Sequence, residues 1–224
     1  MRDRPIIFSA PMVRALLDGR KTQTRRVLKP LKSDGPGYVT WPIYARKNEG
    51  MRRCGSSTQP DRAAPYAVGD KLWVREAFVV GHDIDDELGR PVGEQKVWFR
   101  ATDSRLTWFD PDTESTLDNP PWKPSIHMPR WASRLTLLVT DVRVQLLQEI
   151  SEADAKAEGV WRDTNGWVDY LFPGTQCCPT AAQSFCTLWD SLHGPGEWDV
   201  NPWVAAISFS VHIGNIDTLE PGHA

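Results

Sequence analysis

The 224-residue chain lacks the features that mark membrane proteins, secreted proteins and disulfide scaffolds. No apolar run approaches the roughly 20 residues that a membrane-spanning helix requires. The apolar part of the N-terminal segment MRDRPIIFSAPMV is too short for a secretory signal. Four cysteines are too few for a disulfide scaffold of this size. We therefore expect a cytoplasmic protein with reduced thiols and no membrane partner.

Metal-ligating patterns are also scarce. No C-x-x-C occurs, and the adjacent Cys177 and Cys178 are an awkward ligand pair. The five histidines form no visible cluster in the sequence; they include His82, His127, His193 and His212. We expect no metal ion and no cofactor.

The chain has no excess of basic residues, because 26 Lys and Arg against 29 Asp and Glu give a formal charge of −3. A protein that binds nucleic acid mainly through its overall field is usually basic, so that class is disfavoured. A local basic patch, or a pocket for one nucleotide, remains open.

Alternating and helical periodicities predict an α+β fold, a small mixed β-barrel with short flanking helices. Strands are expected at 6–8, 22–28, within 68–78, at 96–101, 134–147 (bent near Asp141) and 203–211, with a weaker candidate at 39–44. Helices are expected at 12–17, 152–158 and 180–192, with Ser9 and Ser151 as N-caps and glycines at 19 and 159 as stops. We expect one domain over 1–213, with two long insertions at about 30–68 and 79–130, and a flexible tail at 214–224.

The stretch DGRKTQTRR, residues 18–26, places four cationic side chains and two threonines in nine residues. Lys21 follows the predicted end of a helix, where the dipole favours a cation whatever its function. Strand alternation would place Thr24 and Arg26 on one face and Arg25 on the other. Lys21 and Thr24 can converge only if the chain bends around Thr22. Taken alone, the stretch favours a structural role.

Glu158 is a second candidate, because it occupies the last turn of its predicted helix. The free carbonyl groups there repel a carboxylate by about 0.3–1 kcal/mol. A residue that breaks a local rule without visible compensation is a candidate for function. A short polar helix could equally tolerate such a residue at little cost.

These residues resemble a known family. GRKTQTRR, residues 19–26, resembles the G-x-K-x-x-(E/T)-x-R signature of the ASCH domain, a relative of the PUA RNA-binding fold. GDKLWV, residues 69–74, is similar to the family's GD-x-L-x-V strand. The likeness is closest to the long, phage-associated members and extends to IIFSAPMVRALL, IHMPRWASRLTLLVTDVRV, ISEADAKAEGV and NPWVAAISF. The resemblance implies a PUA-like barrel, although the compact family core does not explain the two insertions.

The family includes a bacterial N4-acetylcytidine amidohydrolase, and the resemblance implies catalytic roles for Lys21, Thr24 and Glu158. Lys21, with a pKa lowered by burial and neighbouring arginines, would deprotonate Thr24 or a water molecule. Glu158 would hold Lys21 and shuttle the proton, and Arg26 with a backbone N–H would stabilise the oxyanion. The expected substrate is an acylated nucleoside, nucleotide or RNA base. Candidate substrate-binding residues are Arg20, Arg25, Arg26, Trp73 and Glu76, although Glu76 is more simply explained as an ion-pair partner of Arg26 or Arg75.

Two other functions remain open. In a non-catalytic RNA-binding module, Trp73 or Trp131 would stack on a base, and the basic run would hold phosphates through Arg14, Arg20, Lys21, Arg25, Arg26, Lys29 and Lys32. A ribonuclease is the third candidate, but no paired carboxylates or histidines favour it. The sequence does not indicate an oligomeric state.

Overall fold

The computed structural model describes residues 3–31, 40–47, 50–85, 91–104, 108–110, 115–117, 120–174 and 177–219, which form an α+β fold. The helices are α1 (Ala10–Leu17), α2 (Glu152–Ala157) and α3 (Ala181–His193). The strands are β1 (Asp3–Ile7), β2 (Gln23–Val27), β3 (Trp41–Lys47), β4 (Gly50–Ser57), β5 (Lys71–Arg75), β6 (Phe78–Ile84), β7 (Pro91–Phe99), β8 (Trp108–Asp110), β9 (Ser115–Leu117), β10 (Leu135–Leu146), β11 (Trp167–Val168), β12 (Cys177–Cys178) and β13 (Trp203–Ile213).

A five-stranded sheet in the order β1-β5-β10-β13-β2 organises the fold. Its centre is the long antiparallel pair of β10 and β13, while β1 runs parallel to β5 and β2 runs antiparallel to β13. The register of β10 shifts between Val139 and Asp141, which confirms the irregularity expected near Asp141. Bulges of this kind increase local twist and bend a strand.

The two edge strands of this sheet approach each other without pairing. Arg26 in β2 donates a hydrogen bond from Nη2 to the backbone oxygen of Ile7 in β1, at 2.7 Å. Among the residues that the structure describes, no strand pair closes the sheet into a barrel. The predicted α+β class is confirmed, and the sheet has a seam between β1 and β2.

The helices pack their apolar sides into the same core as the sheet. In α1, Val13 and Leu16 are buried, and in α3, Phe185, Leu188 and Trp189 are buried in one cluster with strand residues. Ser9 is the N-cap of α1, as expected, but its hydroxyl makes no capping hydrogen bond. Ser151 caps α2 by accepting from the backbone N–H of Asp154.

The predicted insertions contain antiparallel hairpins. β3 pairs with β4, β6 with β7, and β8 with β9. Phe78 in β6 packs with Met128 and Ala132 in a small cluster of their own. The strand predicted weakly at 39–44 is therefore one arm of a longer hairpin, while 32–39 lie outside the described residues.

Residues 214–219, the first part of the expected tail, pack against the rest of the domain. Ile216 is buried, and the Asn215 side chain donates hydrogen bonds to the backbone oxygens of Arg130, Trp131 and Ser133. These bonds fasten the segment to the loop before β10, which a polar sequence with few apolar residues did not reveal. Residues 220–224 lie outside the described residues.

Within the described ranges, no helix combines the length and apolar character needed to span a bilayer.

Candidate active site

The chain bends around Thr22, which is the condition under which Lys21 and Thr24 could converge. Gly19 adopts a left-handed conformation with φ of 70°, and the backbone N–H groups of Arg20 and Lys21 both donate to Ala15 O at 3.0 Å. Thr22 then donates its N–H to Ala157 O at 2.8 Å and accepts one from Phe209 N at 2.9 Å. The turn is therefore anchored to α2 and β13 before β2 begins.

Lys21 and Glu158 meet directly in the interior. Lys21 Nζ donates to Glu158 Oε2 and to Glu158 O, both at 2.8 Å. Arg25 Nη1 donates to Glu158 Oε1 at 3.0 Å. Glu158 follows the last helical residue of α2, so its position at a helix C-terminus is as predicted. The two cations offset the repulsion from the helix carbonyls, which explains how a carboxylate is tolerated there.

Gly159 lets the chain pass close to Lys21. It has φ of 88°, and an added Cβ would lie 2.9 Å from Lys21 Cβ and 3.1 Å from Ala15 Cβ. Gly19 has a similar φ of 70° but open space around the same position.

These two glycines form a matched pair for mutation. Gly19→Ala is expected to cost about 1–2 kcal/mol of unfolding free energy from the left-handed backbone alone. Gly159→Ala adds a clash worth about 1–3 kcal/mol and displaces Lys21. Chemical denaturation measures both, and equal costs for the two variants would contradict the close packing.

A cavity of about 400 Å³ opens beside this ion pair at the seam between β1 and β2. Buried residues form its floor and walls: Phe8, Met12, Lys21, Thr24, Arg25, Glu158, Phe185, Leu188 and Trp189. Exposed residues surround its mouth: Ile7, Ser9, Val27, Leu192 and His193. The half-buried Arg26 completes the lining. The cavity therefore combines a charged interior with an aromatic wall from α3.

Thr24 lies in this wall and is 4% exposed. Among the residues described, its hydroxyl makes no hydrogen bond, and Lys21 Nζ donates only to Glu158. The structure thus brings Lys21 and Glu158 into contact and places Thr24 in the same cavity.

Arg25 also contacts polar groups other than Glu158. Its Nη1 also donates to Gln23 Oε1 at 2.6 Å, and its Nη2 lies 3.4 Å from Asp154 Oδ2. Asp154 accepts from Gln23 Nε2 and from Arg143 Nη2. Bonds from Arg143 and Gln23 outweigh burial and lower the pKa of Asp154 to about 2. Arg25 is therefore fixed between two carboxylates, which fixes Glu158 in turn.

The pKa of Lys21 is lowered from its usual range, chiefly because burial disfavours the ammonium ion. Arg26 and Arg25 lower it further, while the charge and hydrogen bond of Glu158 oppose the shift. Burial is also the main cause of a lowered pKa at Arg26. A lysine with a lowered pKa can act as a base nearer to neutral pH.

We expect the Lys21 ammonium to titrate below 10.5 in the folded protein. Nuclear magnetic resonance of labelled lysine side chains measures this, with Lys21→Met assigning the signal. Glu158→Gln removes the group that raises the pKa and should move the midpoint lower. Arg26→Gln removes a group that lowers it and should move the midpoint higher. Shifts in the same direction for both variants would contradict these assignments.

Several hydrogen-bond donors around the cavity have no acceptor. Among the described residues, Arg25 Nε, Arg26 Nε and Trp189 Nε1 are buried and without a partner. Buried donors are normally satisfied, and leaving one unsatisfied costs about 1–3 kcal/mol. All three residues line the cavity, but these nitrogen atoms are themselves buried, so a ligand oxygen would reach them only after a side-chain movement.

Three predicted substrate-binding residues do not line this cavity. Arg20 pairs with Asp18 at 2.8 Å and lies over the Trp161 ring. Trp73 is 8% exposed in the sheet, too buried to stack on a base. Arg25 and Arg26 do line the cavity, but Arg25 contacts Glu158 rather than open space.

Glu76 is the third of these, and its expected partner was wrong. Arg134 binds it in a bidentate pair, with Nε 2.9 Å from Oε1 and Nη2 3.0 Å from Oε2, instead of Arg26 or Arg75. Burial raises the pKa of Glu76, and the bonds from Arg134 oppose this. Arg75 donates instead to the backbone oxygens of Met128 and Ile126.

Sequence reasoning missed the contribution of α3. The amphipathic helix predicted at 180–192 was given no role in the site, yet Phe185, Leu188, Trp189 and Leu192 line the cavity. His193 also lines the mouth, with its ring stacked on Trp189 at 4.0 Å between centroids. The apolar stripe ending in an exposed leucine and a histidine was the available signal.

No group of three or more histidine, cysteine, aspartate or glutamate side chains in the described ranges could hold a metal ion. Comparisons with family models, with curated proteins and with solved structures each found no match to this chain.

Proposed function

We propose that this protein is an amidohydrolase that removes an acyl group from a modified nucleobase of the N4-acetylcytidine type. The observation that carries the proposal is the buried contact of Lys21 with Glu158 in a cavity that Thr24 also lines. We further propose that the chain is an ASCH domain and that its curved sheet corresponds to the PUA-like barrel. The signature around residues 19–26 supplies the lysine and threonine, and the resemblance of residues 150–160 supplies the glutamate.

The two bonds that Lys21 makes suggest how it would act as a base. A neutral amine has two N–H groups and one lone pair. Both N–H groups have fixed acceptors in Glu158, its carboxylate and its backbone oxygen. The lone pair is then left to accept a proton from Thr24 or from a water molecule held by Thr24. This arrangement orients the base without a further residue.

The reaction is a balanced amide hydrolysis. Thr24 Oγ attacks the acyl carbon as its proton passes to Lys21, and a tetrahedral intermediate forms. The C–N bond then breaks, and Lys21 returns the proton to the exocyclic nitrogen of the base. Water attacks the acyl-threonine with the same proton transfers in turn, which releases the carboxylic acid and restores Thr24.

Groups on the cavity wall can stabilise the oxyanion of the intermediate. Lys21, once protonated, is such a group. Phe8, Phe185 and Trp189 supply aromatic surface for a flat base. Cavities of about 300–1,000 Å³ are typical of small-molecule sites, and this cavity of about 400 Å³ falls within that range.

Incubating the protein with N4-acetylcytidine and following the ultraviolet absorbance of cytidine formation tests the proposal. We expect turnover with release of acetate. Absence of turnover on the nucleoside, its nucleotide and an acetylated RNA would reject the proposal.

Part of the basic run is not available to phosphates at the surface, and Lys32 lies outside the described residues. Lys21 and Arg25 are buried, and Arg14 donates to the backbone oxygen of Ala101. Trp131 is 60% exposed and could stack on a base, but no observation links it to the run. No specific observation favours the binding module or the ribonuclease.

A further inference from the structure

Arg26 is the cation in the cavity that the described chain does not neutralise. Lys21 and Arg25 both form ion pairs with Glu158, and Arg25 also pairs with Asp154. Arg26 forms no ion pair with any described carboxylate. Its Nη2 donates to Ile7 O, and its Nε is buried without an acceptor. The ring of Phe8, 5.1 Å from the guanidinium carbon, covers one side of it.

The charge of the cavity lining is correspondingly positive. Lys21, Arg25 and Arg26 contribute three positive charges and Glu158 one negative charge, so the formal sum is 3 − 1 = +2. With Lys21 neutral the sum is still +1. A buried guanidinium without an ion pair is unfavourable, and the charge of Glu158 offsets only part of the cost of burying Arg26. An anion from outside the chain would reduce the remaining penalty.

The surroundings of Arg26 suit such an anion. Its hydrogen bond to Ile7 O places the guanidinium beside Ile7 and Ser9, which are exposed at the cavity mouth. The Ser9 hydroxyl makes no capping bond, and the first turn of α1 starts at the next residue. A guanidinium binds phosphate in a bidentate manner. The start of α1 contributes less than a usual helix N-terminus, because Pro11 in its first turn has no N–H.

We propose that the cavity binds a substrate with an anionic oxygen group held by Arg26. Because this rests on the proposed function, the substrate class is an acylated nucleoside 5′-monophosphate. Its phosphate lies at the mouth beside Ser9, and its acylated base lies inward at Thr24. The mouth residues Ile7, Val27 and Leu192 are apolar, which suits one mononucleotide better than a strand with successive phosphates.

The kinetic test compares N4-acetylcytidine 5′-monophosphate with N4-acetylcytidine. We expect kcat/KM to be about 10–100-fold higher for the monophosphate, the range for one charge-assisted contact. Arg26→Gln should reduce this ratio toward one, and Arg26→Lys should retain part of it. Inorganic phosphate should compete with the monophosphate on the unaltered protein, which keeps the test decisive if both variants fail to fold.

A binding test separates this inference from the proposed function. In a Thr24→Val variant, calorimetry should show cytidine 5′-monophosphate binding at least about 10-fold more tightly than cytidine, in an Arg26-dependent manner. That result, together with no turnover of any acetylated substrate by the unaltered protein, would reject the hydrolase and keep the anion site. Equal turnover of nucleoside and nucleotide, or faster turnover of acetylated RNA, would overturn the anion site and keep the hydrolase.

Discussion

Thr24→Val is expected to reduce kcat for N4-acetylcytidine by at least about 10³-fold, the scale seen when a nucleophile is removed. Valine keeps the shape of threonine and replaces the hydroxyl with a methyl group. Since that hydroxyl makes no hydrogen bond among the described residues, the free energy of unfolding should change by less than about 1 kcal/mol. We therefore expect Thr24→Val to lose activity while its stability is nearly unchanged.

Thr22→Val is the matched control. Thr22 is also a threonine of the signature, but its side chain is exposed and absent from the cavity lining. Its backbone bonds to Ala157 and Phe209 do not involve the side chain. Activity should therefore be retained. Mass spectrometry adds a second readout, because an acyl adduct on Thr24 would identify it as the nucleophile. Loss of activity in both variants, or in neither, would contradict the assigned role.

The local elements were predictable because each carries its own periodicity and end signals. Gly159 illustrates this, since a glycine after a short helix predicted the helix end, and its φ in the structure is 88°. The long strand β10 was predicted, with its irregularity near Asp141, from alternating apolar residues. In these elements, neighbours along the chain determine the conformation.

The partners of charged residues were less predictable, because they depend on which elements lie side by side. Glu76 was assigned to Arg26 or Arg75 from proximity along the chain or within the motif, whereas Arg134 on a distant segment binds it. Arg25 was assigned to substrate, but α2 brings Glu158 and Asp154 against it. The Lys21–Glu158 contact was expected from a family resemblance, which carries three-dimensional information that periodicity lacks.

Glu158→Gln is expected to lower the stability of the protein strongly, because Glu158 has more ion-pair partners than Lys21. Glu158 has two cationic partners, whereas Lys21 has only Glu158. Glu158→Gln leaves Lys21 and Arg25 buried without that counter-charge, which is expected to cost about 3–5 kcal/mol of unfolding free energy. Lys21→Met leaves Glu158 paired with Arg25 and should cost about 1–2 kcal/mol. Urea denaturation measures both values.

The double variant and the pH dependence of Glu158→Gln test whether Glu158→Gln is the more destabilising of the two single substitutions. In Glu158→Gln, Arg25 keeps Asp154, but Lys21 has no ion-pair partner. Adding Lys21→Met removes that unpaired cation, so the double variant should be more stable than Glu158→Gln alone. In Glu158→Gln the folded protein holds Lys21 with a pKa lowered below 10.5, so the unfolded chain binds more protons between the two pKa values. The unfolding free energy should therefore rise with pH through that window, and Lys21→Met should abolish the rise. If Glu158→Gln lowered the free energy of unfolding less than Lys21→Met does, or if its unfolding free energy did not change with pH, Glu158 would not be the group that neutralises the buried cations.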